Sequence, residues 1–483
     1  MELYLVLLPL AIAAVALVVP SDRWRPWLLP LGSGLHLWLV VRVIAADMPF
    51  NESSRDWLVI DPLGKVFLLA IGVMHFLCML YAPGYLALRS ERPNRVLCAC
   101  MLSSLSMMSL VIVSHHLGLM WVAVEATTLA SAPSLYFNHN ARSLEATWKY
   151  LLICSVGIAL ALLGSLFLAY SALHADLRST LLFEELRSEA SKLSSPWLHA
   201  AFVLLFVGYG TKMGLAPIHT WKPDAYGEAP GLVGALLAGG VTNAAFFAIL
   251  RFYQIAVAAG DGDFARRIMV FVGLLSMATA AVYMVRQRDF KRLLAYSSVE
   301  HMGILVFGIG IGGAAVTASL AHVINNAMTK GVLFLSAGNI HRAYGSKLTD
   351  DVRGAIHSLP LSGWLFLLGF LAGCGSPPFS PFVSEFSILV AACRGGQYTS
   401  AALYVTALFV VFLGMGTTVL RVTLGPPSHP RSEIPFPDDF HTGAPIIGFM
   451  ALVFVMGLYM PAFLVKLLAD ATAYLESSTE LIR

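Results

Sequence analysis

Five apolar stretches of this chain each carry side chains that hydrocarbon should exclude. Glu125 sits inside Leu-Met-Trp-Val-Ala-Val-Glu-Ala-Thr-Thr-Leu-Ala, and Lys149 follows Trp148 near the start of the next stretch. Lys212 lies between Gly-Tyr-Gly-Thr and Met-Gly-Leu-Ala-Pro. His322, Asn326 and Lys330 recur at four-residue intervals, which puts them on one face of a helix. Glu385 follows the proline-rich run Ser-Pro-Pro-Phe-Ser-Pro-Phe-Val-Ser. A charge at the bilayer centre costs roughly 2.5–3.5 kcal/mol on insertion scales, so such residues are seldom decorative. The chemistry they suit is proton transfer. A lysine held out of water gives up its proton more readily, and a nearby carboxylate restores its hold. Moving that carboxylate, or changing its charge, loads or unloads the amine. Acids, lysines and histidines with hydroxyls and water between them then form a relay of near-matched sites. Taken singly, each residue fits a buried ion pair that fixes helix packing, and His322 alone reads as a hydrogen-bonded core group. As a set on five segments, two of them interrupted, they predict a proton route.

The elements that must position them are membrane helices. Of 483 residues, 58% are hydrophobic and 12% charged, with a mean hydropathy of +0.75. Soluble domains carry about twice that share of charge, so the bilayer is the expected solvent. Net charge is +3 and no basic stretch alternates with aromatics, which argues against nucleic acid. The run from Glu2 to Pro20 lacks a basic leader and reads as a retained first span. Cys78, Cys98, Cys100, Cys154, Cys374 and Cys393 form no CxxC pair and read as small core residues. No cofactor is therefore expected in this chain, and any redox centre would sit on a partner. The pair His115-His116 lies at a span edge without the further ligands a metal needs.

Apolar segments long enough to cross fall near 2–20, 26–46, 61–83, 95–113, 115–137, 144–173, 197–217, 229–256, 265–285, 293–313, 315–340, 359–393, 398–424 and 443–469. The expected fold is an all-α polytopic membrane protein of about fourteen spans. The seventh segment contains Gly208, Gly210, Gly214 and Pro217, and the twelfth Gly373, Gly375, Pro377, Pro378 and Pro381. Such clusters at membrane depth mark broken helices beside a cavity. Connections after odd-numbered spans hold sixteen Lys and Arg against nine elsewhere, which places the first set in the cytoplasm and both termini outside an inner membrane. The halves echo each other: Glu125 with His301, Lys149 with Lys330, and Lys212 with Glu385 stand 176, 181 and 173 residues apart. The common offset suggests two inverted five-helix repeats, at 95–256 and 265–424, between an N-terminal unit at 1–94 and a C-terminal one at 443–483.

Several motifs then resemble one family. Gly214-Leu-Ala-Pro-Ile-His-Thr-Trp-Lys-Pro-Asp-Ala-Tyr-Gly-Glu-Ala-Pro230 resembles the signature of the antiporter-like subunits of respiratory complex I, Mrp antiporters and membrane-bound hydrogenases. So do Ile60-Asp-Pro-Leu63, Asp289-Phe-Lys-Arg-Leu-Leu-Ala-Tyr-Ser-Ser298, Lys330-Gly-Val-Leu-Phe-Leu-Ser-Ala-Gly-Asn-Ile-His341 and Gly375-Ser-Pro-Pro-Phe-Ser-Pro-Phe382. Ala295-Tyr-Ser-Ser-Val-Glu-His-Met-Gly303 and Glu385 look like the hydrogenase-4 component F branch. The resemblance implies that Glu125 pairs with the broken-helix Lys212, that Lys330 is central with His322 beside it, and that Glu385 exchanges protons with the outside. It implies a modulating role for Lys149. Where the family often has a basic residue on the eighth helix, this chain has Thr242 and Asn243, and where it commonly has a histidine near the central lysine, Asn326. Water held by these three is expected to bridge the halves. Lys222 stands where the family has an apolar residue. The function implied is proton translocation in the membrane arm of a complex I-like oxidoreductase of the membrane-bound hydrogenase or formate hydrogenlyase type. Its partners would be further antiporter-like subunits and a peripheral hydrogenase-like or dehydrogenase-like arm. An Mrp-type cation/proton antiporter subunit, and an ion-translocating subunit of energy-coupled CO2 or bicarbonate uptake, are the alternatives.

Overall fold

The computed structural model describes residues 1–46, 56–177, 180–428, 436 and 438–477. Arg55, Arg178, Arg431 and Arg483, counted above for orientation, lie outside the described residues. Helix follows helix in the order α1 Glu2–Val18, α2 Leu28–Ala45, α3 Pro62–Ala87, α4 Arg95–Val113, α5 Leu117–Leu135, α6 Ala141–His174 and the short α7 Phe183–Ser188. Then come α8 Ser195–Met213, α9 Trp221–Glu228, α10 Gly231–Leu236, α11 Thr242–Ala258, α12 Gly262–Met284, α13 Phe290–Ile311 and α14 Ala314–Tyr344. The chain continues through α15 Ala355–Ser358, α16 Pro360–Gly373, α17 Ser380–Arg394, α18 Tyr398–Leu424, α19 Phe440–Leu458 and α20 Ala462–Glu476. Among the described residues there is no strand, and nine helices, counting α10–α11 as one, are long and apolar enough to cross a bilayer. This is a multi-pass all-helical membrane protein.

Polar residues at the helix ends explain where many of these elements begin. Asp61 caps α3 by accepting from the Gly64 amide at 2.7 Å, with Pro62 in the first turn where its missing N–H costs nothing. Asn140 and Ser143 form a reciprocal cap on α6, and Asp289 accepts from the Lys291 and Arg292 amides to start α13. The apolar N-terminal run is a helix docked on α4, where Ser106 Oγ donates to the Val6 carbonyl at 2.6 Å.

Both Gly/Pro clusters interrupt their helices. α8 stops at Gly214, which is left-handed (φ 82°), and α9 restarts at Trp221. α16 stops before Gly375 (φ 60°), and α17 restarts at Ser380. Lys212 precedes its break, whereas Glu385 follows its own. The two residues paired above by offset are therefore not equivalent about the interruptions. Between α10 and α11, Leu237–Val241 widens into a π turn, a device often found at functional sites. Its Gly239 faces α14, where a Cβ would stand 3.2 Å from Ala327 Cα.

Glycines also let α6 and α8 approach. A Cβ on Gly208 would lie 2.6 Å from both the Gly157 carbonyl and the Ala161 amide nitrogen. A separate polar lock joins α3, α7, α11 and α20. In it the buried Asp61 pairs with Arg251 and with His115 Nε2 at 2.9 Å, and Tyr474 donates to Glu184 at 2.8 Å. His115 thus belongs to an ion-pair network, while His116 accepts from the Leu119 amide and stacks on Trp57.

Candidate functional site

The first cluster is built by α5, α6 and α8. Lys212 is fully buried in the last turn of α8, two residues before Gly214. Its Nζ donates to Tyr150 Oη at 2.7 Å and to Thr128 Oγ1 at 2.8 Å, and lies 4.6 Å from the Tyr150 ring centroid. Thr128 in turn donates to Glu125 Oε2 at 3.2 Å, and Ser155 donates to Glu125 Oε1 at 2.7 Å. Glu125 and Lys212 are thus joined by a single hydroxyl rather than by direct contact. The helix repeat makes this possible, because Thr128 is three residues beyond Glu125 on the same face. Tyr150 Oη also shares a hydrogen bond with Ser131 Oγ at 2.8 Å.

Lys149 stands apart from this cluster. One residue along α6 is about 100° around it, so Tyr150 faces Lys212 while Lys149 faces the rim. There its half-exposed ammonium pairs with Glu145 at 2.6 Å and Asp224 at 2.8 Å, and Arg292 also binds Asp224. These groups line a polar vestibule of about 850 Å³, with Glu228 and Lys347 on its wall.

The second cluster is built by α13, α14 and α17. Lys330 is buried and donates to Ser297 Oγ at 2.7 Å. His322, Asn326 and Lys330 are all buried along α14. His322 Nε2 lies 3.0 Å from His301 Nδ1, and its Nδ1 lies 2.9 Å from Ser384 Oγ. Glu385 Oε1 is 4.0 Å from His301 Nδ1, and its carboxylate occupies the space over Gly375, where a Cβ would fall 2.1 Å from Oε2. His301, His322 and Glu385 offer three atoms within 4.8 Å of one another, a donor set that an imidazole-seeking metal would accept. The two facing ring nitrogens lie within hydrogen-bond distance, so that one ring donates to the other.

Thr242 and Asn243 bond back to the Ala238 and Gly239 carbonyls at 2.8 Å each, beside the π turn. Among the described residues, both side-chain atoms of Asn326, Asn243 Oδ1 and Glu385 Oε1 have no hydrogen-bond partner. The same is true of Glu300 Oε2, on a buried carboxylate that is not among the expected site residues although it sits in an apolar helix as Glu125 does. The hydroxyls of Thr128, Tyr150, Ser297 and Ser384 are likewise absent from the expected set. Only Thr128 left a trace, in its spacing from Glu125.

Two buried lysine centres, each packed beside an interrupted helix, in an all-helical multi-pass protein define an antiporter-like membrane subunit. The chain belongs to the family described as "NADH:quinone oxidoreductase/Mrp antiporter, TM", which matches residues 114–410. It is 34% identical over 429 residues to a "Hydrogenase-4 component F homolog" from Methylacidiphilum infernorum (isolate V4), covering 86% of this chain and 88% of that protein. Two solved structures share the fold. A subunit of the archaeal membrane-bound sulfane sulfur reductase superposes with a TM-score of 0.86 at 21% identity, over 99% of this chain and 98% of that one. A subunit of Thermus thermophilus respiratory complex I gives 0.84 at 23% identity, over 99% and 100%.

Proposed function

We propose that this chain translocates protons in the membrane arm of a complex I-like oxidoreductase of the membrane-bound hydrogenase type. The observation that carries the reading is the hydrogen-bonded run from the partly buried Glu125 through Thr128 to the fully buried Lys212 on one side, and the buried Lys330, His301, His322 and Glu385 on the other, each beside a helix break. In this reading fourteen spans cross an inner membrane, with 95–256 and 265–424 as inverted half-channels and both termini outside. Protons enter from the vestibule rim, where Lys149 and Asp224 set the local charge. Lys212 and Lys330 take up and release them as Glu125 and Glu300 change their protonation or place. The His301–His322 pair passes them to Glu385. Orphan amide and carboxylate atoms at Asn243, Asn326, Glu300 and Glu385 mark where ordered water would complete the path. Redox chemistry belongs to a peripheral hydrogenase-like or dehydrogenase-like arm, and further antiporter-like subunits flank this one. The donors around Glu385 favour protons over sodium, since two imidazoles suit a proton relay while sodium seeks an all-oxygen cage. The test is proton uptake by the intact complex in sealed vesicles, with assembly checked in parallel. Lys212→Ala and Lys330→Ala should abolish uptake without loss of the complex. Unchanged uptake with intact assembly would make the charges structural, and sodium-dependent uptake would favour the antiporter reading.

A further inference from the structure

Hydrogen bonds join Glu125 to Lys212 in the first cluster, and in the second Lys330 meets Ser297 while His301, His322 and Glu385 meet one another; no residue of the route above joins the two clusters. Lys222 occupies the ground between. It stands in the first turn of α9, just past the break that follows Lys212, and is fully buried. Its stem lies across Gly214, where a Cβ would fall 2.1 Å from Lys222 Cε and 2.8 Å from Nζ. Only glycine leaves that passage open, and Gly214 is two residues from Lys212. At its far end Lys222 Nζ donates to Ser298 Oγ at 3.2 Å, while the adjacent Ser297 accepts from Lys330 at 2.7 Å. Among the described residues no carboxylate pairs with Lys222. A buried amine that meets a hydroxyl and, at 5.9 Å, the centroid of the Tyr226 ring is costly as a packing device, because no carboxylate offsets its charge.

We infer that Lys222 is the proton-transfer residue that links the two lysine clusters across the first helix break. In the step this requires, an N–H bond of the Lys222 ammonium breaks and its proton passes to Ser298 Oγ. The hydroxyl's own proton moves on, through Ser297 or a bound water, to form an N–H bond on the neutral amine of Lys330. Lys222 is left neutral and takes its next proton from Lys212. One ammonium replaces another, so charge and protons balance at each stage. The inference rests on the proton-route reading, and the variants are chosen to separate the two.

Three variants of the intact complex in sealed vesicles test it: Lys222→Met, which keeps length and volume without the amine; Lys222→Arg, which keeps a permanent charge that cannot be handed on; and Ser298→Ala. Proton uptake should fall by about a hundredfold in the first two, the low end for loss of a positioned proton-transfer group, and fall measurably in the third. Full uptake by Lys222→Arg would show a fixed-charge role and overturn the inference. Full uptake by Lys222→Met while Lys212→Ala is inactive would overturn it and leave the proton route standing. If neither lysine variant assembles, Ser298→Ala decides, and unchanged uptake there overturns the link. If Lys212→Ala and Lys330→Ala also pump fully, the proton route itself fails and the link with it.

Discussion

At the scale of single residues, the bridge between Glu125 and Lys212 is the most exposed part of the arrangement to experiment. Thr128 accepts from the amine and donates to the carboxylate, so its hydroxyl carries the whole connection. Thr128→Val preserves shape and removes that hydroxyl. A hydrogen bond to a charged group is worth about 1.5–3 kcal/mol, and each 1.4 kcal/mol is roughly tenfold in rate. Proton uptake should therefore slow by roughly ten- to a hundredfold in Thr128→Val and recover in Thr128→Ser, with the complex still assembled. Equal uptake in both would mean the two charged groups communicate by another path. Glu125 and Lys212 were legible in the sequence because a charge in an apolar run stands out. Thr128 and Tyr150 were not, since hydroxyls are ordinary in membrane helices and nothing in their type announces a partner. Lys149 misled for a related reason: it is as conspicuous as Lys212, but the helix turns it to the rim. Lys222 was counted as a loop charge for orientation, and its burial in α9 removes it from that tally.

At the scale of elements, the breaks do more than interrupt hydrogen bonding. Gly375 is left-handed and its open face holds the Glu385 carboxylate. Gly375→Ala would add the strain of a left-handed non-glycine residue, about 1–2 kcal/mol, and push that carboxylate from His301. Gly396 is also left-handed (φ 70°) but has nothing within 4 Å of a built Cβ, so Gly396→Ala isolates the backbone cost. Thermal denaturation of the purified complex should show a loss in both. Proton uptake should fail only in Gly375→Ala, and survival of uptake there would show that the position of Glu385 is not critical. A second packing prediction concerns α6 and α8. Gly208→Leu should force them apart and separate Tyr150 from Lys212, seen as reduced assembly and early unfolding. Much at this scale was readable beforehand. The segment expected at 144–173 is the helix Ala141–His174, and that at 359–393 is Pro360–Gly373 followed by Ser380–Arg394. The π turn at Leu237–Val241 was not readable, because its sequence is simply apolar and it forms only as Gly239 meets α14.

At the scale of the whole molecule, the question is which way the path runs. The vestibule gathers Glu228 at the end of α9 and residues from the connections after α5, α12 and α14: Asn138 and Asn140, Arg288, and Lys347 among them. Arg288 and Lys347 belong to the basic set that the charge bias assigns to the cytoplasm. On that assignment the C-terminal end of α17 emerges on the opposite face, and with it Cys393. Among the described cysteines Cys393 alone is exposed; the others are buried or partly so. A membrane-impermeant maleimide applied to intact cells should therefore label Cys393 quickly, and inverted vesicles slowly, with Cys393→Ser abolishing the signal. Glu385 lies two helical turns back from Cys393 on the same helix, so the label also reports the side on which the second cluster opens. Fast labelling from outside fixes Glu385 as the exit and the Lys149–Asp224 rim as the entry. Fast labelling only in inverted vesicles would reverse both assignments while leaving every contact between Glu125 and Glu385 as it stands, because the relay is symmetric to direction and only the charge on its two faces orients it.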